Sequence, residues 1–406
     1  MHINHDEVFS DAVAVARDLA PDEPVILNRP HAARRAAQFF TTRFPGKSLY
    51  AVKANPSPDL LRELWAGGIT HFDVASITEV RLTRRVLPDA VLCYMHPIKP
   101  ARAIAEAYHT HGCRTFSLDS TEELAKIVEA CRNPETGEAA TDLRLCVRIR
   151  VSSEYSELSL AAKFGCDLIE APAILQAARQ HCDWLGICFH VGSQAMSPFA
   201  YVQALDRARA AIGEASVVID MIDVGGGFPS VYPGMEPPPL DDYFAMIHKH
   251  FEALPIAYNA ELWCEPGRAL CAEYSSLLVK VERRRGNELY INDGAYGALF
   301  DAAHIGWRFP VRALEDDLIK PEADFAFYGP TCDDADYMPG PFPLPEDIQA
   351  GDYIEIGMLG AYGAAMKTDF NGFGGVQCVA VLDEPMASLY DGSRDRAAAD
   401  NVIAIR

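Results

Sequence analysis

Cations are scarce in this sequence: 36 Lys and Arg stand against 57 Asp and Glu, for a formal net charge of −21. Gripping a nucleic-acid backbone needs clustered positive charge, so the balance argues against a DNA or RNA partner. It suits a small cationic substrate, or simply solubility. No stretch approaches the ~18 consecutive apolar residues of a membrane span. The opening residues, MHINHDEVFSDAVAVARDLAPDEP, hold no apolar core of the signal-peptide kind. The eleven cysteines are scattered and form no CxxC pair. Free thiols in a reducing cytoplasm are therefore expected. Metal-ligand spacing is also missing, since His248 and His250 stand two apart with nothing matching nearby, so no metal is expected. Low-complexity tracts are absent and only 23% of residues are charged, which sets aside disordered and fibrous classes.

What is present is apolar content and rhythm. Of 406 residues, 49% are apolar and 10% aromatic, enough for a sizeable core in two or three domains. Short strand-like runs recur: SLYAVK (48–53), HFDVAS (71–76), AVLCYM (90–95), RTFSLD (114–119), LRLCVRIR (143–150), WLGICFHV (184–191), IDMIDVGG (219–226) and ELWCEP (261–266). Helical stretches lie between them, such as PDLLRELWAGG (58–68) and STEELAKIVEACR (120–132). In the latter, Leu124, Ile127, Val128 and Cys131 share a face, and Ser120 with Glu123 makes a capping box. Eight strands alternating with helices predict an eight-stranded parallel (β/α)8 barrel, with a doubly wound sheet as the alternative. After about residue 270 the helical period fades. YSSLLVKVERRRGNELYINDG reads as two strands around a charged turn, and DYIEIGML (352–359) and GVQCVAVLDE (375–384) as further strands, so a second, all-β domain is expected. The Pro-rich stretches 229–240 and 339–347 read as surface loops, and the tail after Tyr390 as a short solvated segment.

In a parallel barrel, chemistry collects where strands end. Lys53, Asp73, Arg148, His190, Gly225 to Gly227 and Glu265 all fall at that edge. Any one of them alone reads as a solvated surface residue; their coincidence does not. Lys53 closes an apolar run, and a lysine withdrawn from water has a depressed pKa and a usable amine nucleophile. The glycine cluster can bring backbone N–H groups onto a phosphate. It is no dinucleotide signature, because GGGFP lacks the G-x-G-x-x-G spacing and Pro229 cuts the turn. Glu265 and Arg268 share one tight turn, where Arg268 could grip phosphate and Glu265 could hold a proton on a ring nitrogen; an internal ion pair is the alternative. GPTCDDAD (329–336) sets the Cys332 thiol beside acids in an exposed turn. The remaining cysteines, in apolar runs or helical stretches, read as small core fillers.

YAVKAN (50–55), FDVAS with Glu79, FHVGSQ (189–194), DVGGGFP (223–229), CEPGRAL (264–270), NDGAYGALFDAAH (292–304), GPTCDDAD and GAYGAAMKTDFNGF (360–373) resemble, in order and spacing, the alanine-racemase-fold pyridoxal-phosphate decarboxylases, nearest to the ornithine decarboxylase branch. The resemblance runs from about residue 24 to 385. It implies a pyridoxal 5'-phosphate-binding barrel over 28–270, and a β-domain over 271–406 together with residues 1–27. It further implies decarboxylation of L-ornithine to putrescine. Lys53 would hold the cofactor covalently, His190 would stack on its ring, and Glu265 would pair with the ring nitrogen. Ser193, Gly227, Arg268 and Tyr362 would bind the phosphate, while Asp73 and Arg148 would support Lys53 and Glu265. Cys332 would deliver a proton to Cα, and Asp301 and Asp333 would bind the distal ammonium of the substrate. Cys332 and Asp333 would reach the partner subunit's cofactor, which implies a homodimer. Lysine or dual lysine/ornithine use differs by one methylene and stays open. Diaminopimelate, with a distal carboxylate, fits the aspartates less well. Alanine racemases lack the GPTCD loop, and a catalytically dead homologue would be expected to lose Lys53 or Cys332.

Overall fold

The computed structural model describes residues 8–151, 154–315 and 321–390. Eight parallel strands close into a barrel: Lys47–Ala51, His71–Val74, Val91–Tyr94, Thr115–Leu118, Arg144–Arg148, Trp184–Cys188, Met221–Asp223 and Glu261–Cys264. Seven lie inside the predicted runs, and the first begins one residue before its run, at Lys47. Closure is made by the last strand pairing with the first, Trp263 opposite Lys47 and Cys264 opposite Ser48. That pairing decides between the barrel and an open doubly wound sheet.

The strands read as continuous apolar runs because both faces are covered. Their outer faces meet amphipathic helices such as Pro58–Ala66 and Thr121–Ala130. Inside, Leu49, Cys93, Met95, Cys146, Cys188, Met221 and Trp263 pack as one buried plug. A full-size side chain from every strand would overfill this space, so thiols serve as small fillers. All eleven cysteines are free, and only Cys332 is exposed. The capping box at Ser120 forms by half. Ser120 Oγ accepts the Glu123 N–H at 3.2 Å, but Glu123 turns to Lys99, accepting its N–H at 3.1 Å and pairing with its ammonium at 3.0 Å.

The second body is a mostly antiparallel sheet in the order Val8–Phe9, Gln377–Val381, Val25–Asn28, Ser275–Arg285, Glu288–Ile291, Glu322–Tyr328, Tyr337–Pro345. Tyr353–Ile356 branches from Ser275–Arg285 and carries Val311–Ala313. Segments before the barrel thus share this sheet with segments after it, Ser275 lying opposite Asn28. Arg29, at the entry to the helix Pro30–Arg43, is fully buried and pairs with Glu355 of the sheet at 2.8 Å, which ties the two bodies together.

One Pro-rich stretch corrects the sequence reading. Residues 229–240 form an irregular connection, but Tyr337–Pro345 is a strand paired antiparallel with Glu322–Tyr328. Its prolines, 339, 341, 343 and 345, occupy alternate positions at the end of the sheet. Their missing N–H groups therefore share one side, which an edge strand can leave unpaired. The segment after Tyr390, expected to be solvated, lies outside the described residues. Among the described residues no helix is long and apolar enough to cross a membrane.

Candidate active site

The C-terminal rim of the barrel opens into a cavity of about 500 Å³, within the range of small-molecule sites. Its wall includes nine of the residues singled out from the sequence: Lys53, Asp73, Arg148, His190, Ser193, Glu265, Arg268, Asp301 and Tyr362. The strand ends explain the convergence. Lys53 sits in the turn Val52–Ala54 just after the first strand, Asp73 and Arg148 lie in the second and fifth strands, and His190 and Glu265 lie one or two residues beyond theirs. The sheet body reaches the rim through residues 360–366. There Tyr362 gives its N–H to the Ala54 carbonyl at 2.8 Å, in a left-handed conformation with φ of 61°. Such backbone persists where the surroundings over-determine it.

The expectation of a depressed Lys53 pKa is not met. Enclosure pulls it down, but Asp73, Tyr362 and Glu265 together outweigh that, against the opposition of Arg148, and hold the ammonium above the ordinary lysine range. Lys53 is nonetheless exposed, and it lines the cavity. His190 is the reverse case. Burial, then Lys53 and Arg148, push it well below the ordinary imidazole range. It is neutral, with Nδ1 accepting the Gly192 N–H at 3.1 Å, so Nε2 carries the proton.

Arg268 is buried at the other end of the cavity. It donates to Tyr232 Oη at 3.0 Å, lies 3.5 Å from Asp301 Oδ2, and has its guanidinium carbon 4.2 Å from the Trp307 ring centre. Its Nε has no hydrogen-bond partner among the described residues. The glycine run lies between the sixth- and eighth-strand rims. Gly225 and Gly227 have φ of 68° and 103°, and a Cβ on Gly225 would stand 2.0 Å from the Phe189 carbonyl oxygen. Gly227 flanks this wall without lining the cavity. Among the described residues no acceptor meets the N–H of Gly226 or Gly227. Cys332 and Asp333 do not line the cavity either. Cys332 is exposed, with its N–H and its Sγ each 3.1 Å from Asn371 Oδ1. Asp333 accepts the Tyr296 hydroxyl, which with the Ala335 N–H holds its carboxyl below the usual range.

The cavity also takes in residues the sequence reading missed. His96 follows the third strand and falls under the same strand-end rule. Lys163 and Phe164 come from a loop after the fifth strand, where periodicity gives no signal. The Phe164 ring centre lies 5.0 Å from that of His96 and 5.5 Å from the Arg148 guanidinium carbon.

Residues 30–272 match the family model described as "Pyridoxal-dependent decarboxylase, pyridoxal binding domain". This chain belongs to that family. The lysine/ornithine decarboxylase of Selenomonas ruminantium is 31% identical over 360 residues, covering 86% of this chain and 87% of that protein. The ornithine decarboxylase of Mus musculus is 30% identical over 379 residues, covering 84% and 76%. The crystal structure of the Paramecium bursaria Chlorella virus arginine decarboxylase bound to agmatine is 25% identical, covers 90% of this chain and 98% of that one, and superposes with a TM-score of 0.79.

The chain is thus a pyridoxal-phosphate-dependent amino-acid decarboxylase, and the donor set fits the cofactor. An amine projects into the cavity at Lys53. Glu265 lines the wall and has a buried oxygen, Oε1, with no partner among the described residues. Ser193, Arg268 and the open N–H groups of the glycine run are ready for a phosphate. Among the described residues no cluster of three or more His, Cys, Asp or Glu side chains could hold a metal ion.

Proposed function

We propose that this decarboxylase converts L-ornithine to putrescine in the cytoplasm, as a homodimer in which both chains contribute to each active site. The observation that carries the substrate choice is Asp301. It sets a carboxylate into a cavity wall that also includes Met95, Leu158, Leu160 and Met366. A distal ammonium finds an anion there, and a substrate carboxylate meets apolar side chains that solvate its charge poorly.

When bound, pyridoxal phosphate supplies an electron-withdrawing ring that takes up the electron pair left as carbon dioxide departs. Lys53 holds the cofactor covalently. Glu265 would face the ring nitrogen and keep it protonated. His190 is neutral and packs against the ring without adding charge. Arg268, Ser193, Tyr362 and the backbone of Gly225–Gly227 hold the phosphate, while Asp73 and Arg148 flank Lys53. Cys332 hands a proton to the substrate Cα, and Asp333 joins Asp301 on the ammonium. Sharing between subunits is supported by the exposure of Cys332 and by its absence, with Asp333, from the wall of its own cavity.

Dual lysine/ornithine use is the second reading, favoured by the similarity to the Selenomonas ruminantium enzyme. One methylene in a pocket is worth about 1–3 kcal/mol. A panel of ornithine, lysine, arginine and diaminopimelate, read as kcat/KM for amine release, tests both. Ornithine is expected to lead. Comparable turnover of lysine establishes the dual reading, and a lead for arginine or diaminopimelate overturns both.

A further inference from the structure

Behind Glu265 stands a second carboxyl group with no task in this scheme. Asp223 ends the seventh barrel strand and is 0% exposed. Its Oδ1 accepts the Gly225 N–H at 2.8 Å, and the Gly225 carbonyl accepts the Glu265 N–H, also at 2.8 Å. The two carboxyl groups lie within hydrogen-bonding reach of each other. Yet among the described residues neither Asp223 Oδ2 nor Glu265 Oε1, both buried, has a donor. Two carboxylates cannot satisfy each other. A carboxylic acid and a carboxylate can, because one proton supplies the missing donor.

Charge counting leads to the same state. Lys53 and Arg148 face Asp73, and Lys53 also faces Glu265. The titratable groups that act on Asp223 include Glu265, Asp73 and the thiols of Cys188, Cys93, Cys146 and Cys264, and among the described residues no ion pair forms to it. Four carboxyls, Asp73, Glu79, Asp223 and Glu265, outnumber the cations Lys53 and Arg148, so part of the cluster is best held neutral, and Asp223 is the member with no cation paired to it among the described residues. Burial pushes both members of the pair up, Asp223 to about 7 and Glu265 well above the usual carboxylate range. Their shared hydrogen bond by itself favours the proton on Glu265, and it is the cationic ring nitrogen of the bound cofactor that would hold Glu265 anionic and leave the proton on Asp223.

We infer that Asp223 is the positioning residue for Glu265: it keeps the proton and donates it through Oδ2 to Glu265 Oε1, which leaves Glu265 anionic and fixed in orientation toward the cofactor's ring nitrogen. This rests on the role of Glu265 proposed above. Infrared spectra of the holoenzyme in mildly acidic buffer, with and without carboxyl-13C aspartate, locate the proton. A protonated-carboxyl stretch is expected that shifts with the aspartate label and is lost in D223N. A corresponding band that ignores the label, or no difference between wild type and D223N, overturns the inference. Cofactor affinity gives the second readout. D223A should weaken it roughly ten- to a hundredfold. D223N should restore most of the loss, because asparagine keeps an acceptor for the Gly225 N–H and a donor for Glu265. D223N as weak as D223A overturns the donor role. If E265A leaves cofactor affinity unchanged while the labelled Asp223 band remains, it is the Glu265 role that fails.

Discussion

Asp301→Asn takes one negative charge from the cavity wall while keeping the side chain's shape. Asp301 sits in the short helix Phe300–His304, 14% exposed at its side chain, with Oδ2 3.5 Å from Arg268. The substitution has two effects on the bound state. A hydrogen bond to a charged group in such a place is worth about 1.5–3 kcal/mol, so losing the carboxylate should raise the KM for ornithine roughly ten- to a hundredfold. Arg268 meanwhile loses Asp301, the one carboxylate it pairs with among the described residues, and its guanidinium becomes freer to bind a phosphate. Substrate binding should weaken while cofactor binding holds. Steady-state carbon dioxide release against ornithine concentration measures the first, and titration of the apoenzyme with pyridoxal phosphate measures the second. An unchanged KM for ornithine refutes the ammonium role. Loss of the cofactor alongside a raised KM also refutes it, because Asp301 would then serve mainly to hold Arg268 in place.

Lys53→Ala and Cys332→Ala should each be nearly inactive alone. Mixed under conditions of subunit exchange, half the dimers become hybrids with one intact site of two, so about a quarter of wild-type activity should return; no return from hybrids verified by mass spectrometry refutes shared sites. Glu79, whose Oε2 accepts the Ala75 N–H at 2.7 Å, is pushed up to about 7, chiefly by burial. A carboxyl raised in the folded state contributes stability that is full below its unfolded pKa and is lost as pH rises toward the folded value. Glu79→Gln should therefore flatten the decline in urea midpoint between the ordinary carboxylate pKa and neutrality, and an unaltered slope would count against the shift.

The barrel was legible because each of its strands is buried on both faces and so stands out as a short apolar run between helical periods. Its closure was not, since the pairing of Trp263 with Lys47 joins segments more than two hundred residues apart, and no local pattern encodes which strand meets which. The strand Tyr337–Pro345 was hidden by its own composition. Proline signals a loop in most settings, and only an edge position makes an every-second-residue proline pattern compatible with pairing. The site divides along the same line. Residues at strand ends, from Lys53 to Glu265, could be collected by one geometric rule, and His96 obeys it too. Phe164 and Lys163 reach the cavity from a loop whose path depends on tertiary packing, so no periodicity marks them. Asp223 stood in plain view within DVGGGFP, but its partner Glu265 lies just beyond the next strand of the barrel. A carboxyl pair of this kind is visible only once the strands are side by side.

Lys53 shows how a sound local principle can point the wrong way. Withdrawal from water does favour a neutral amine, and it is the largest single influence on this residue. The sequence presents Lys53 at the end of an apolar run and supplies no hint of what faces it. The fold brings Asp73 from the adjacent strand, Glu265 from beyond the last strand and Tyr362 from the sheet body, and their combined field reverses the sign. The same three directions of approach explain why the ammonium stays charged where it lines the cavity: each wall around it also supplies an anion or a polar group. The amine that is to hold the cofactor is thus kept charged by its surroundings, and the carboxyls that do so belong to the same cluster in which Asp223 and Glu265 share a proton.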